Sequence, residues 1–300
     1  MPDLLFVRAW FGRYWLACWF GVISAIRLSA VVAGGNPGFD ARLYLLATRS
    51  WLNGGEPWVS ISQQQFAAPP PSLLPLIPFA LLPEPVGVAV LVCVAVAGVA
   101  ATVYLLHLPW WWVMFPPFLD GAWNGNVQTL LVPLILVGAG PIAAFLKIYA
   151  LVPLALTLRW RALLITIAAL LITAPLLPWV SYFEHSGELL QSFGRQSSGG
   201  LSATATPWLI PVALVALVLC GRERAAWLAV PTLWPYTQWY YSTLAVPGLV
   251  PVTALTSIAA ALLAVQIPGL AVGAVIVVAL GERNWTPARL RRAWLPAPAP

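Results

Sequence analysis

Long apolar stretches, separated by short clusters of Gly, Pro and Arg, run the length of this chain. The first covers about 14–33 and stops at Gly34-Gly35-Asn36-Pro37-Gly38, residues that continue a helix only at a cost. From 41 to 52 the pattern changes. Leu43, Leu46, Ala47, Ser50 and Trp51 recur at helical spacing while Arg42 and Arg49 share another face, which predicts a short amphipathic helix lying on a surface. Asn53-Gly54-Gly55 ends it as a C-terminal cap. Further apolar stretches follow at about 66–83 (Pro-rich), 86–106, 109–122, 127–138, 141–158, 162–180, 207–220, 225–240, 243–265 and 268–280. A polar knot, Asp120-Gly121-Ala122-Trp123-Asn124-Gly125-Asn126, separates two of them, and 181–206 is expected to be a long polar loop.

Composition turns this pattern into a fold class. The chain is 61% hydrophobic and 8% charged, with mean hydropathy +0.86. A soluble domain carries roughly 25% charged residues. The expectation is therefore an all-α polytopic membrane protein. At about 20 residues per span the apolar material suffices for roughly nine to eleven transmembrane helices in one bundle. Residues 1–281 form that single domain, and 282–300 a basic, Pro/Ala-rich tail expected to be disordered.

The net charge of +6 does not argue for nucleic acid. Lys147 is the sole Lys, and the Arg residues gather where apolar stretches end, as the positive-inside rule requires. Arg8 and Arg13, Arg159 and Arg161, and Arg222 and Arg224 then share the cytoplasmic side, which places Asp40, the surface helix and 181–206 outside. Eleven crossings would leave the basic tail outside as well, so the first nine carry the orientation. The N-terminus has the charge pattern of a signal peptide. Arg27 interrupts its apolar stretch, however, and Val31-Val32-Ala33 is a poor cleavage site, so a retained span is expected. Trp10, Trp15, Trp19, Trp110, Trp111, Trp112, Trp234 and Trp239 are placed at interfaces. Cys18, Cys93 and Cys220 fall inside apolar runs, as small buried side chains do. They have no metal-ligand spacing.

With nine carboxylates, the search for chemistry is close to an enumeration. Asp40 stands beyond the first apolar stretch, where an acid at the water edge of a bundle can take a proton from a hydroxyl. It also suits the N-cap of the following helix. Glu56, Glu184, Glu188 and His185 lie on the same side, each equally readable as a solvated loop residue. Asp120 is a second polar site or a helix cap. Glu84, Glu223 and Glu282 fall in turns, and Asp3 in a terminal tail. Lys147 sits inside Ala144-Phe145-Leu146-Lys147-Ile148-Tyr149. An ammonium among lipid tails costs at least about 2.5 kcal/mol, so it needs a partner or a wet cavity. A cation in a cavity suits phosphate. Arg195 and, more weakly, Arg27 are further candidates for that task. No Gly-rich nucleotide loop, nucleophile elbow or His/Cys metal set occurs, so no cofactor is implied.

Several stretches together resemble the polyprenyl-phosphate-dependent membrane glycosyltransferases of the C-type fold, most closely glycosyltransferase family 87, the α-mannosyltransferase-like group. Phe39-Asp40 with Tyr44 is similar to that family's acidic motif after the first span. Trp51-Leu52-Asn53-Gly54-Gly55-Glu56-Pro57-Trp58 is similar to its L-x-G-x-x-P-Y segment. Phe66-Ala67-Ala68-Pro69-Pro70-Pro71 with Leu81-Leu82-Pro83 resembles its proline-rich span. Gly125-Asn126-Val127-Gln128 resembles a G-Q/N turn, Lys147 with Pro153 and Arg159-Trp160-Arg161 a K-x-x-P…R-W-R run, and Arg195-Gln196-Ser197 an N-Q-S loop.

The resemblance implies transfer of a sugar, mannose by analogy, with inversion, from a polyprenyl-phosphate donor to a glycan or glycolipid acceptor on the extracytoplasmic face of the plasma membrane. Asp40 would be general base, and Lys147 and Arg195 would hold the donor phosphate. Tyr44, Glu56, Trp58, Asn126, Gln128, His185, Gln196, Tyr240 and Tyr241 would line the substrate site. A lipid-linked sugar flippase or transporter, or a scaffold without turnover, remains open as the alternative.

Overall fold

The computed structural model describes residues 2–34, 37–62, 64–196, 201–282, 286 and 293–295. The chain is mostly helical. After α1 (Pro2–Gly34) and α2 (Phe39–Leu52), a two-residue hairpin pairs β1 (Ser60–Ile61) with β2 (Gln64–Gln65), Ser60 opposite Gln65. The 3-10 segment Pro70–Leu76 leads into α3 (Ile77–Ala80) and the long α4 (Glu84–Leu105). Short helices follow: α5 (Pro116–Asn124), α6 (Leu131–Leu136), α7 (Gly140–Leu146), α8 (Leu151–Leu156) and α9 (Trp160–Thr173). The second half comprises α10 (Trp179–Glu184), α11 (Ser186–Gln196), α12 (Ile210–Cys220), α13 (Arg222–Leu233), α14 (Ala254–Leu263) and α15 (Leu270–Gly281).

Among the described residues, two helical stretches, Tyr14–Gly34 within α1 and Glu84–Leu105, are long and apolar enough to cross a membrane. Most other expected continuous stretches are broken, and proline is the main cause. Pro removes a backbone donor and clashes with the preceding turn. The 66–83 stretch accordingly becomes extended chain, the 3-10 segment and α3. The 243–265 stretch becomes the 3-10 helix Trp239–Leu249, a cis Val250–Pro251 bond and α14. The 141–158 stretch divides at Lys147, which is extended (φ −148°, ψ 115°) between α7 and the 3-10 turn Ile148–Ala150. The expected loop 181–206 is instead largely helical, in α10 and α11.

Two apolar clusters hold the bundle. One joins α2, the Pro70–Leu76 segment, α6, α7 and α8 through Ala41, Leu45, Leu73, Leu131, Ile135, Ala143 and Leu154. The other joins α1, α5, α12, α14 and α15 through Phe20, Phe115, Phe118, Leu217, Leu263 and Val278. Trp112 belongs in this second core rather than at a surface, and Trp239 is buried as well, its indole N–H donating to the Leu263 carbonyl at 3.2 Å. Cys18 and Cys93 are exposed, and Cys220 alone of the three cysteines is buried. The buried face of α2 is Ala41, Tyr44, Leu45 and Thr48 with Leu43 and Ala47, whereas Leu46 points outward. Trp294, in the C-terminal tail, donates its indole N–H to the Val218 carbonyl at 3.0 Å.

The start of α2 is fixed by two left-handed glycines. Gly38 (φ 70°) caps the helix, and its N–H donates to the Trp123 carbonyl at 3.0 Å. Gly125 (φ 65°) ends α5. A β-carbon on Gly125 would stand 2.8 Å from the Ala41 β-carbon, and one on Gly38 2.5 Å from a Val88 methyl. Only Gly satisfies both the conformation and the close approach. Gly125→Val is expected to lower stability by about 2–3 kcal/mol, combining backbone strain with overpacking. A thermal midpoint within a degree of wild type would contradict this account of the α2–α5 junction.

Candidate functional site

Asp40 occupies the first turn of α2, one residue inside it, while Gly38 holds the cap position with no side-chain bond. The carboxylate is thus released from capping. It accepts a hydrogen bond at Oδ2 from Asn126 Nδ2, 2.7 Å away, and lines a cavity of about 500 Å³. Lys147 lines the same cavity from the opposite sequence neighbourhood. Its ammonium lies 5.2 Å from the centroid of the Tyr44 ring, within cation–π range. The extended backbone at Lys147 explains how a residue in an apolar run reaches this space, because interrupting the helix turns Lys147, Ile148 and Tyr149 together toward it.

The remaining wall is aromatic and amide-bearing. Tyr44 and Phe66 meet edge to face, and Tyr149, Tyr240 and Tyr241 form a cluster with centroid separations of 4.6 Å (Tyr149–Tyr241) and 5.2 Å (Tyr240–Tyr241). Gln64, Gln65 and Gln238 add amides, and Tyr182, Leu190 and Trp234 close the rim. A space this size with apolar walls and a few convergent polar groups has the make-up of a ligand site.

Asn126 and Gln128 are fully buried behind Asp40 and do not line the cavity. Asn126 caps the 3-10 turn Val127–Leu130, its Oδ1 accepting from the Gln128 N–H at 2.9 Å. Gln128 in turn donates to Thr243 Oγ1 at 3.2 Å and accepts from the Tyr149 hydroxyl. Glu56, Trp58 and His185 also stand outside the lining. Ser181 links them: its hydroxyl donates to Glu56 and accepts from the Trp58 indole N–H at 2.7 Å, and its carbonyl is 2.9 Å from His185 Nδ1. This group clamps the 53–58 segment to α10, with Trp58 stacked behind the lining residue Phe66 at 6.4 Å. Arg27 and Asp120 form an ion pair at 3.0 Å with Asp120 buried, so Arg27 is committed to that partner and Asp120 is no cap. The side chains of Arg195 and Gln196, and the whole of Ser197, lie outside the described residues.

Asp40 is held above the usual carboxylate range, at about 6. Burial is the chief cause. The Asn126 hydrogen bond and the Lys147 charge act against it, and Asp120 adds a small upward push. A base poised near neutral pH is well matched to proton abstraction. Among the described residues, no group of three or more His, Cys, Asp and Glu side chains is arranged to hold a metal.

Tyr149 and Gln238 were not among the expected site residues, and Trp234, expected at an interface, lines the cavity instead. Tyr149 had one signal, its nearness to Lys147 in the run Leu146-Lys147-Ile148-Tyr149, and the 3-10 turn after Lys147 is what brings it to the cavity. Gln238 carried no such signal. No family model matches the chain, and no curated protein or solved structure matches it.

The raised value at Asp40 has a cost. The folded chain binds this proton more tightly than the unfolded one, so stability falls as pH rises from about 4 to about 6, and the penalty is complete above that window. Asp40→Asn keeps an acceptor for Asn126 and removes the buried charge. We expect it to stabilise the protein by about 1–3 kcal/mol at pH 7.5, with the gain shrinking toward pH 4. The thermal midpoints of the two proteins across pH test this, and a destabilised Asp40→Asn at pH 7.5 would contradict it.

Proposed function

We propose that this chain is an integral membrane glycosyltransferase, built as a multi-span helical bundle, with its site on the extracytoplasmic side. The observation carrying the reading is that Asp40 and Lys147, an acid and a cation the chain has few of, line one cavity. The membrane setting is supported by the 61% hydrophobic composition, by the two long apolar helices, and by an apolar exterior. Leu164, Leu171 and Ile172 on α9, for example, are 65%, 70% and 73% exposed. A monomeric soluble protein seldom presents such a face to water.

In this reading the donor is a polyprenyl-phosphate-linked sugar, mannose by resemblance, and the acceptor a hydroxyl of a glycan or glycolipid. Asp40 takes the hydroxyl proton as the oxygen attacks the anomeric carbon. The bond from that carbon to the phosphate oxygen breaks, and its electron pair leaves with the lipid phosphate. Attack opposite the departing group inverts the anomeric centre. Lys147 stabilises the charge developing on phosphate, which is where a positioned cation contributes most to rate. Tyr44, Tyr240 and Tyr241 offer faces and hydroxyls for sugar or isoprenoid.

Purified protein incubated with radiolabelled polyprenyl-phosphate-mannose and lipid-linked glycan acceptors is expected to yield labelled glycoside. Asp40→Asn should lower turnover about 100-fold or more with the protein still folded. Lys147→Met should raise the donor KM, leaving that for acceptor near wild type. Comparable turnover in Asp40→Asn would remove Asp40 from the base role. Failure of the wild type to transfer mannose or any other polyprenyl-linked sugar, with label moved intact across vesicles, would favour the transporter reading.

A further inference from the structure

Asn126 was expected in the substrate lining, and its burial behind Asp40 calls for another role. The orientation of its amide follows from chemistry. The Gln128 backbone N–H only donates, so the Asn126 atom facing it at 2.9 Å is the carbonyl oxygen Oδ1. The NH₂ group must then face Asp40, where it donates to Oδ2 at 2.7 Å. An amide on a side chain alone would leave the two ends interchangeable. Here the backbone removes that freedom.

The anchor is itself held. Gln128 is fully buried, and both ends of its side-chain amide are engaged: Nε2 with Thr243 at 3.2 Å and Oε1 with the Tyr149 hydroxyl. Position 128 therefore moves little, the Asn126 cap moves with it, and the donor aimed at Asp40 stays in place. Oδ1 of Asp40 accepts no hydrogen bond among the described residues, leaving it for the acceptor's proton.

The geometry points to Asn126 as the positioning residue for Asp40: it occupies Oδ2, keeps that oxygen from the acceptor, and favours the ionised form by a fixed N–H donor, with Gln128, Thr243 and Tyr149 as its brace. The inference rests on reading Asp40 as the base, and it assigns the selection of the reactive oxygen to a residue that never touches substrate.

Charged and titratable groups facing Asp40 come from several elements. Lys147 at the end of α7 favours its ionised form; Asp120 on α5 opposes it. Tyr44 on α2, and Tyr240 and Tyr241 on the Trp239–Leu249 segment, stand around it as neutral phenols. Among these neighbours Asn126 is the one hydrogen-bonded to the carboxylate. Withdrawing its amide should therefore move the Asp40 titration upward.

Asn126→Ser makes the test, because Ser caps a helical turn about as well as Asn and so spares the structural role. Its hydroxyl, engaged at the cap, is too short to replace the amide at Asp40. The chain has three aspartates, Asp3, Asp40 and Asp120, so the Asp40 carboxyl band can be assigned by subtracting Asp40→Asn in infrared spectra of ¹³C-aspartate-labelled protein. We expect the Asp40 midpoint to rise by about one pH unit in Asn126→Ser, and the acidic limb of kcat/KM for transfer to rise by the same amount. An unchanged midpoint in a folded Asn126→Ser protein overturns the positioning role, whatever its rate. The infrared titration needs no turnover, so absence of transfer by the wild type would sink the glycosyltransferase reading while leaving the link between Asn126 and Asp40 still measurable.

Discussion

A carboxylate taken out of water must be met by a donor, and the site is built around how that requirement is satisfied at Asp40. The donor is one side-chain amide, aimed by a backbone N–H at its other end. Meeting it requires the end of α5 to approach Ala41 of α2, and the start of α2 to approach Val88 of α4, more closely than ordinary residues permit. Gly38 and Gly125 supply that approach in left-handed conformations. Once α2 is fixed there, Tyr44 faces Lys147, and its ring gives the ammonium a partner. The cavity wall is therefore a consequence of the α2–α5 junction, even though neither glycine contributes to the lining.

The second determinant is the broken character of the helices. An unbroken apolar helix satisfies its own backbone and presents side chains all round, with no reason for a polar pocket to form. Here α7 ends at Leu146, Lys147 is extended, and a 3-10 turn precedes α8, so three consecutive residues face one space. The Trp239–Leu249 3-10 segment does the same from the other side, bringing Tyr240 and Tyr241 to the cavity while Trp239 is buried away from it. Shorter turns with three residues per repeat redistribute side chains that an α-helix would have spread around its circumference.

What the sequence disclosed follows from scarcity. Because the chain is so poor in charge, Asp40 and Lys147 stood out without any structural knowledge, and a short helix between the Gly34–Gly38 break and Asn53 was readable from spacing and its C-terminal cap, although it packs into the first core rather than lying free of it. The exact face of that helix was not. Leu46 completes the apolar spacing yet is exposed, because the face that packs into the bundle is the one carrying Ala41, Tyr44, Leu45 and Thr48. Continuous apolar runs were misjudged wherever proline or an isolated Lys interrupts them, since hydropathy measures burial and is silent about backbone continuity. Asn126 and Gln128 were expected in the substrate lining and lie behind it instead. A motif records which residues accompany a site; whether they face ligand or brace it depends on tertiary contacts, such as those of Gln128 with Thr243 and Tyr149, 115 and 21 residues away.

The distribution of charge gives the strongest argument for chemistry. Ion pairs absorb several of the structurally placed charges: Arg27 with Asp120, Arg222 with Glu223, and Arg224 with Glu282 at 2.9 Å. Arg49 is taken up by the Ala80 and Leu82 carbonyls beside Glu84. Each such arrangement offsets the cost of removing a charge from water. Asp40 and Lys147 are arranged otherwise, around a space rather than against each other, and Asp40 is left above its ordinary proton affinity by burial. A fold selected only for stability would have collapsed the cavity or paired these two directly. Keeping them apart carries a standing energetic penalty, and perturbed groups in a cleft of this kind mark functional sites more often than structural ones. That penalty becomes intelligible if an anionic group and a hydroxyl enter between them, the first neutralising Lys147 and the second supplying the proton that Asp40 is poised to accept.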